Sequence, residues 1–177
     1  MKNQKNNKWG LKGEKMFNKK IIVGGLLLLF VLVAFNPMDA ANYKGYTTDV
    51  NGFTFNMIEG YEPDYEMVLD EDTTNIYGEQ IHLYILSYYG DDGVISISTM
   101  TRYSEPFTEE DALSAGSNSQ DMTSTVQKIG GKTGKLIEDK SLGQSVYSFW
   151  YVEDGVEITI DADSVDKIKY SLGDTSK

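Results

Sequence analysis

The sequence predicts an α+β domain carried behind a short apolar segment, with a curved antiparallel sheet built of consecutive hairpins. Two observations predict the sheet. β-rich runs of alternating apolar and polar residues follow one another through most of the chain, and short turn sequences join them. Only two later segments have a helical pattern, and we expect both helices to pack on the sheet. The third observation is one uninterrupted apolar run near the start, which predicts an N-terminal hydrophobic helix.

The beginning of the chain resembles an export signal or membrane anchor. Residues 1–20 contain seven Lys and one Glu, and Ile21–Phe35 then follows without a polar side chain. Positive charge directly before an apolar run holds that end on the cytoplasmic side, so everything after the run is expected outside. Met16 is a second candidate start, because it would give a shorter and more typical basic region.

The fate of the apolar run stays open at this point. Its fifteen residues span about 22 Å as a helix, less than the ~30 Å hydrocarbon core, which favours a removable signal peptide. The residues that follow, Met38 to Ala41, lack the small-x-small pattern of a cleavage site, which favours a retained anchor. Both alternatives make the membrane a partner through Ile21–Phe35. They place the domain on the extracellular face of the cytoplasmic membrane or in the medium.

Charge and cysteine content exclude several functions for the exported part of the chain. Residues 42–177 contain nine Lys and Arg against 25 Asp and Glu, so this part of the chain would repel nucleic acid backbones. The chain has no cysteine, which excludes disulfides and thiolate chemistry. With a single histidine as well, zinc and iron centres lack their usual ligands, and we expect no cofactor.

The exported domain is expected at residues 51–177, after a linker and lead-in at 36–50. The turn pair Asn51-Gly52 precedes an alternation of Phe53, Phe55 and Met57, which is typical of a half-buried strand. A short strand at 67–69 and an acidic loop at 70–75 are predicted next. Three hairpins then complete the predicted sheet, at 81–89 with 94–100, 122–129 with 132–137, and 146–152 with 156–160.

Two helices are predicted inside this series of hairpins. Thr108 and Asp111 form a capping box that starts a mid-chain helix, which Gly116 ends. Ser164 or the residue before it can cap a C-terminal helix that presents Val165, Ile168 and Leu172 on one face.

The opening of the domain resembles that of PsbP/Mog1-like small exported domains. The resemblance rests on Gly52, Phe53 and Phe55, followed by Met57-Ile58-Glu59-Gly60-Tyr61, with Ile58 where the family pattern has proline. It implies a curved antiparallel sheet with helices packed on it. It implies little about activity, because a fold of this kind serves several unrelated roles.

Few residues are candidates for catalysis, metal binding or phosphate binding. His82 is the single histidine and lies in a predicted strand, without a nucleophile-elbow motif. The Asp70-Glu71-Asp72 run begins like a calcium loop but lacks glycine at position six and glutamate at position twelve. The glycine-lysine string at 129–135 lacks the first glycine of a phosphate-binding loop, and we interpret it as a hairpin turn.

The remaining indication of a binding site comes from the tyrosines. Tyr84 and Tyr88 share one side of their predicted strand, and Tyr147 and Tyr151 share one side of another. A solvent-facing row of these rings would form a platform for a glycan or a protein partner, whereas a buried row would be part of the core.

These observations predict a non-enzymatic binding or interaction module at the cell surface. Two alternatives stay open at this stage. One is a hydrolase that acts on envelope polymers through carboxylates, and the other is a structural component of the envelope.

Overall fold

The computed structural model describes residues 43–75, 77–114, 119–141 and 143–174. The predicted hydrophobic helix at Ile21–Phe35, the second candidate start at Met16 and Gly116 lie outside these residues. Within the described part, no helix has both the length and the apolar character to cross a membrane.

Ten strands and two α-helices make up the described part, so the α+β prediction is confirmed. The strands are β1 (Gly45–Val50), β2 (Phe53–Ile58), β3 (Glu62–Pro63), β4 (Leu69–Thr74), β5 (Gln80–Gly90), β6 (Gly93–Arg102), β7 (Met122–Ile129), β8 (Lys132–Asp139), β9 (Val146–Glu153) and β10 (Val156–Ala162). The helices are α1 (Glu109–Ser114) and α2 (Val165–Ser171), and Tyr65–Met67 forms a single 3-10 turn.

Three of the predicted turns are present at the predicted residues. Asn51-Gly52, Gly130-Gly131 and Asp154-Gly155 join β1 to β2, β7 to β8 and β9 to β10, and all six residues have positive φ between 50° and 86°. Two consecutive residues of this kind match the right-handed twist of the flanking strands, which is why Asn, Asp and Gly are favoured here.

Two segments differ from the predictions. Residues 45–50, predicted as a lead-in, form β1 and pair with β2 along its whole length. Residues 70–74, predicted as an acidic loop, belong to β4 and pair with β5. Both segments are polar edge strands. They bury little, so they lack the apolar alternation by which a half-buried strand is recognised.

The main sheet has eight strands, all paired antiparallel, in the order β3-β5-β6-β10-β9-β8-β7, and β4 also pairs with β5. The sheet is therefore open, with β3 and β4 along one edge and β7 along the other. The adjacency of β6 and β10 joins the first hairpin to the later ones. β1 and β2 form a separate two-stranded sheet.

The first face of the main sheet carries the core. Directly paired residues share a face, and the row Leu86, Ile97, Ile160, Phe149 and Leu136 crosses five strands. This row packs with β2 and α2 in one buried cluster, which includes Phe55, Met57 and Ile168. The ribbon β1–β2 and helix α2 therefore form the second layer of the domain.

The second face of the main sheet is more polar, and α1 packs over it at β8 and β9. Arg102 of β6 donates from its Nη1 to Asp111 Oδ1 of α1 at 3.2 Å, and its guanidinium lies 4.0 Å from the centre of the Phe107 ring. The Thr108 N–H donates to Asp111 Oδ2 and the Asp111 N–H donates to Thr108 Oγ1, as the predicted capping box requires. The two helices therefore lie on opposite faces of the sheet.

Helix α2 has the predicted cap and face. The Ser164 hydroxyl accepts from the Lys167 N–H, Ile168 is fully buried and Leu172 packs against the core cluster. Gly173 follows with φ of 70°, a conformation that glycine adopts without strain.

The position of Phe149 in the buried row across the main sheet predicts how much a cavity there would destabilise the domain. Phe149 is fully buried at the centre of the sheet, so Phe149→Ala should lower the free energy of unfolding by about 3–5 kcal/mol. Val126→Ala is the matched control, because Val126 is 60% exposed and should cost no more than about 0.5 kcal/mol. Chemical denaturation of the full chain measures both, and equal losses in the two variants would contradict the placement of the core.

Candidate functional site

The four predicted platform tyrosines all lie on the first face. The pairing places Tyr84 and Tyr151 in one row across the sheet, and Tyr88 and Tyr147 in another. Tyr88 and Tyr151 are buried, and the Tyr88 hydroxyl bonds with Thr48 Oγ1 at 2.9 Å under the β1–β2 ribbon. These two rings belong to the core and cannot present a flat surface to a partner.

Tyr84 and Tyr147 are half-buried and pack against the same core cluster. The Tyr147 hydroxyl donates to Glu138 Oε1 at 3.1 Å, close to the end of β8. Tyr84 lies toward the opposite edge of the sheet, on β5 beside β4. The platform that was predicted from the two pairs is therefore not a continuous solvent-facing row.

A different group of aromatic and apolar side chains is exposed at the β3–β4 edge. Tyr46 is 41% exposed, Tyr65 72% and Met67 67%, and the half-buried Tyr84 completes the group. Tyr46 comes from β1, Tyr65 and Met67 from the 3-10 turn, and Tyr84 from β5. We call this group the tyrosine surface.

The pKa values of Tyr46 and Tyr84 are both raised, in part by Tyr65. Burial raises the pKa of Tyr46, and Glu62 and Tyr65 add to the rise. Burial also raises the pKa of Tyr84, with further contributions from Asp70, Tyr65 and Asp49. Tyr65 therefore lies within electrostatic range of both rings, and carboxylates surround the group.

Local contacts hold the tyrosine surface in place. The Tyr46 hydroxyl donates to the Tyr61 carbonyl oxygen at 2.6 Å, which ties β1 to the chain just before β3. The Asp64 side chain accepts from the Glu66 N–H and so caps the 3-10 turn that carries Tyr65. The Asp64 N–H in turn donates to the Ser87 carbonyl of β5 at 2.9 Å.

Sequence reasoning missed Tyr46, Tyr65 and Met67 because their segments have no periodic pattern. An available signal for Tyr65 and Met67 was their position in the run 62–72, in which six of the residues are Asp or Glu. Large apolar residues without a core-forming period indicate an exposed surface.

His82 lies between two carboxylates of β4. Its Nε2 is 3.3 Å from Asp70 Oδ1, and its Nδ1 is 3.0 Å from Asp72 Oδ1. The Tyr103 hydroxyl also donates to Asp72 at 2.5 Å. Hydrogen bonds from Tyr103 and His82 lower the pKa of Asp72. Because both ring nitrogens face a carboxylate, neither is placed to accept a proton from a nucleophile.

The other two sequence candidates have structural explanations. The Asp70-Glu71-Asp72 run is part of β4, so it is not the loop that a calcium site of that pattern needs. Residues 129–135 form the β7–β8 hairpin, as predicted, and a strand follows them where a phosphate loop needs a helix. Among the described residues, no three His, Asp or Glu side chains converge on a metal position.

A buried ion cluster joins α2 to the β5–β6 turn. Lys167, whose side chain is 3% exposed, donates from Nζ to Asp163 Oδ2 at 3.0 Å and to the Asp92 carbonyl oxygen at 2.9 Å. The Tyr61 hydroxyl donates to Asp92 Oδ1 at 2.5 Å. Burial raises the pKa of Asp163, while the bond from Lys167 opposes the rise.

An open cavity of about 420 Å³ lies beside this cluster. Its wall includes Tyr43, Glu59, Tyr61, Asp91 and Asp92. Asp92 is half-exposed, and its two oxygens face the Tyr61 hydroxyl and, at 3.5 Å, Lys167 Nζ. The carboxylate therefore already has donors, which is the arrangement of a structural ion pair.

The second face of the sheet holds two further carboxyl groups, both on β10. Burial raises the pKa of Glu157 to about 7, and Arg102 opposes the rise. Burial raises the pKa of Asp161 to about 6, against a hydrogen bond from the Ser148 hydroxyl. Four positions along a strand separate their Cα atoms by about 13 Å. Paired glycosidase carboxylates lie about 5–9.5 Å apart, so the two are poorly spaced for that chemistry.

Comparison of the chain with family models, with curated proteins and with solved structures gives no match. The class of protein is therefore defined by the fold alone, an α+β domain with an open antiparallel sheet, and the resemblance to PsbP/Mog1-like domains stays a prediction.

The buried Glu157 predicts how stability changes with pH. Its pKa is raised from an ordinary 4.5 to about 7, so between these values the folded chain holds a proton that the unfolded chain has lost. The contribution of Glu157 to stability is therefore full below about pH 4.5 and is lost as the pH rises to about 7. The loss amounts to about 3 kcal/mol.

Glu157→Gln should remove this part of the pH dependence. Denaturation of the full chain at several pH values between 4.5 and 7.5 measures it, with Glu71→Gln, on exposed β4, as the control that keeps the slope. An unchanged slope in Glu157→Gln would contradict the assignment.

Proposed function

We propose that this chain is a non-enzymatic binding module of the cell surface, and that the tyrosine surface is its binding site. The observation that carries the proposal is the exposure of Tyr46, Tyr65 and Met67 beside Tyr84 on one edge of the sheet. Large apolar side chains grouped on a polar protein mark interaction sites, and tyrosine is enriched at the centres of such sites.

Preorganisation supports this proposal. Tyr46 and Tyr84 are carried by paired strands, and the 3-10 turn of Tyr65 is capped by Asp64 and anchored to β5. Side chains on an ordered backbone lose little freedom when a partner binds, so more of the contact energy appears as affinity.

The charge around the tyrosine surface favours a cationic partner. Residues 45–75 contain eight Asp and Glu and no Lys, Arg or His. Aromatic faces attract ammonium and guanidinium groups, and nearby carboxylates add to the attraction. We therefore propose that the partner is a protein segment rich in Lys or Arg, rather than a glycan.

The location proposed for this binding is outside the cytoplasmic membrane. The supporting observation is the order of the leader, a lysine-rich region followed by Ile21–Phe35 and then by a strongly acidic domain. The apolar run would form the hydrophobic helix that either is removed after export or holds the domain at the membrane. Residues 36–42 would then connect the leader to the domain.

A carboxylate-dependent hydrolase would have its site at the cavity beside Tyr61, where Asp91 and Asp92 lie in the wall. The hydrogen bonds of Asp92 to Tyr61 and its proximity to Lys167 favour a structural role for this carboxylate. The third alternative, a structural envelope component, requires copies of the chain to associate with one another.

Removal of the exposed side chains should weaken binding without unfolding the domain. The double variant Tyr65→Ala, Met67→Ala should raise the dissociation constant for a synthetic arginine-rich peptide about tenfold or more, because such residues dominate interface energetics. Isothermal titration calorimetry measures the constant, and thermal unfolding should be unchanged since both residues are exposed.

Tyr77→Ala is the matched control, because this tyrosine is 80% exposed and lies on the β4–β5 turn, outside the tyrosine surface. Equal weakening by Tyr77→Ala would show that binding is non-specific. Stronger binding of a neutral oligosaccharide than of the peptide would contradict the proposed partner chemistry.

A further inference from the structure

The two ends of the main sheet are strands that pair on one side only. Among the described residues, β4 pairs with β5 alone and β7 with β8 alone. The two-residue turn at Gly130-Gly131 makes Ile129 and Lys132 a hydrogen-bonded pair. Because such pairs alternate, Val126 and Lys128 direct their backbone N–H and C=O groups away from β8.

The β7 edge is suited to accept another strand. Its eight residues, MTSTVQKI, pair one-to-one with β8, so no bulge twists the edge away. It has no proline, its side chains are mostly Thr, Ser and apolar groups, and Val126 is 60% exposed. Of the protections that the residues of an edge strand can supply themselves, β7 has the charge of Lys128, and the Met122 carbonyl at its start accepts from the Ser119 N–H at 3.0 Å.

The two edges have opposite charge. The edge strand β7 contains Lys128 and no Asp or Glu, and β8 behind it contains Lys132 and Lys135 together with Glu138 and Asp139. Residues 62–74, which form β3, the 3-10 turn and β4, contain six Asp and Glu and no Lys or Arg. Within a domain that is strongly acidic overall, the outer strand β7 is therefore positively charged, and the opposite edge is strongly negative.

We infer that copies of this chain associate edge to edge, with β7 of one copy added to β4 of the next. Backbone hydrogen bonds would extend the sheet, as in other strand-addition interfaces. Asp70 and Asp72 lie on the first face of β4 and Glu71 on the second, so Lys128 meets a carboxylate whichever face the second copy presents.

Opposite charge selects this pairing over the symmetric ones. Two β4 edges would bring three carboxylates of each copy together, which repels. Two β7 edges would lack a run of carboxylates like that of β4, because β7 contains Lys128 and no Asp or Glu. A head-to-tail contact of unlike surfaces leaves one free edge at each end, so further copies can add and the assembly is open.

The absence of native cysteine allows a direct test by cross-linking. Val126→Cys and Glu71→Cys introduce one thiol on each edge, both at exposed positions. The full chain, held in detergent micelles, is treated with a short bismaleimide and separated by denaturing electrophoresis. The double variant should give a ladder of dimers, trimers and larger products, while each single variant should remain monomeric.

Charge reversal on β7 distinguishes cross-linking at the proposed contact from cross-linking by random collision. Addition of Lys128→Glu to the double-cysteine chain should lower the yield of ladder at least about tenfold, because it places like charges together. Dimers from Val126→Cys alone would show that two β7 edges meet and would overturn the inference. An absent ladder, or one that Lys128→Glu leaves unchanged, would overturn it as well.

Discussion

The pairing of β6 with β10 is the constraint on which the rest of the domain depends. Each half of the main sheet is a series of local hairpins, and this one ladder joins the halves, with Ile97 opposite Ile160 and Ile95 opposite Ala162. The two strands are far apart in the chain, so their union costs loop-closure entropy that local hairpins do not. Burial of the four apolar side chains on the first face, all 0% exposed, offsets that cost.

The β6–β10 ladder also determines which strands and which aromatic side chains lie at the periphery of the domain, where a partner could contact them. With β6 and β10 at the centre, β4 and β7 become the two outer strands. The β1–β2 ribbon and α2 cover the middle of the first face, so Tyr88 and Tyr151 are buried there. Tyr84 lies at the margin of this cover, where Tyr46, Tyr65 and Met67 add to it. The exposed aromatic groups and the two outer strands are thus consequences of one arrangement of strands.

Local chemistry explains which parts of the fold could be predicted. Turn residues that tolerate positive φ, such as Asn51 and Asp154, marked the hairpins, and the capping residues Thr108 and Ser164 marked both helices. β1 and β4 were missed because edge strands bury too little to show alternation. Strand order and the tyrosine surface could not be predicted, since alternation indicates that Tyr84 and Tyr88 share a face but does not indicate what covers that face.

Native-state hydrogen exchange on the full chain tests most directly whether the β6–β10 ladder unites the domain. We expect the amides of Ser98 and Thr159, which donate within the β6–β10 ladder, to exchange only through global unfolding, with an opening free energy equal to that from denaturation. In the chain with Lys128→Glu, which should not associate through β7, the outward amide of Val126 should exchange much faster. A lower opening free energy for the β7–β10 strands as a group, separate from β5 and β6, would contradict a single cooperative sheet.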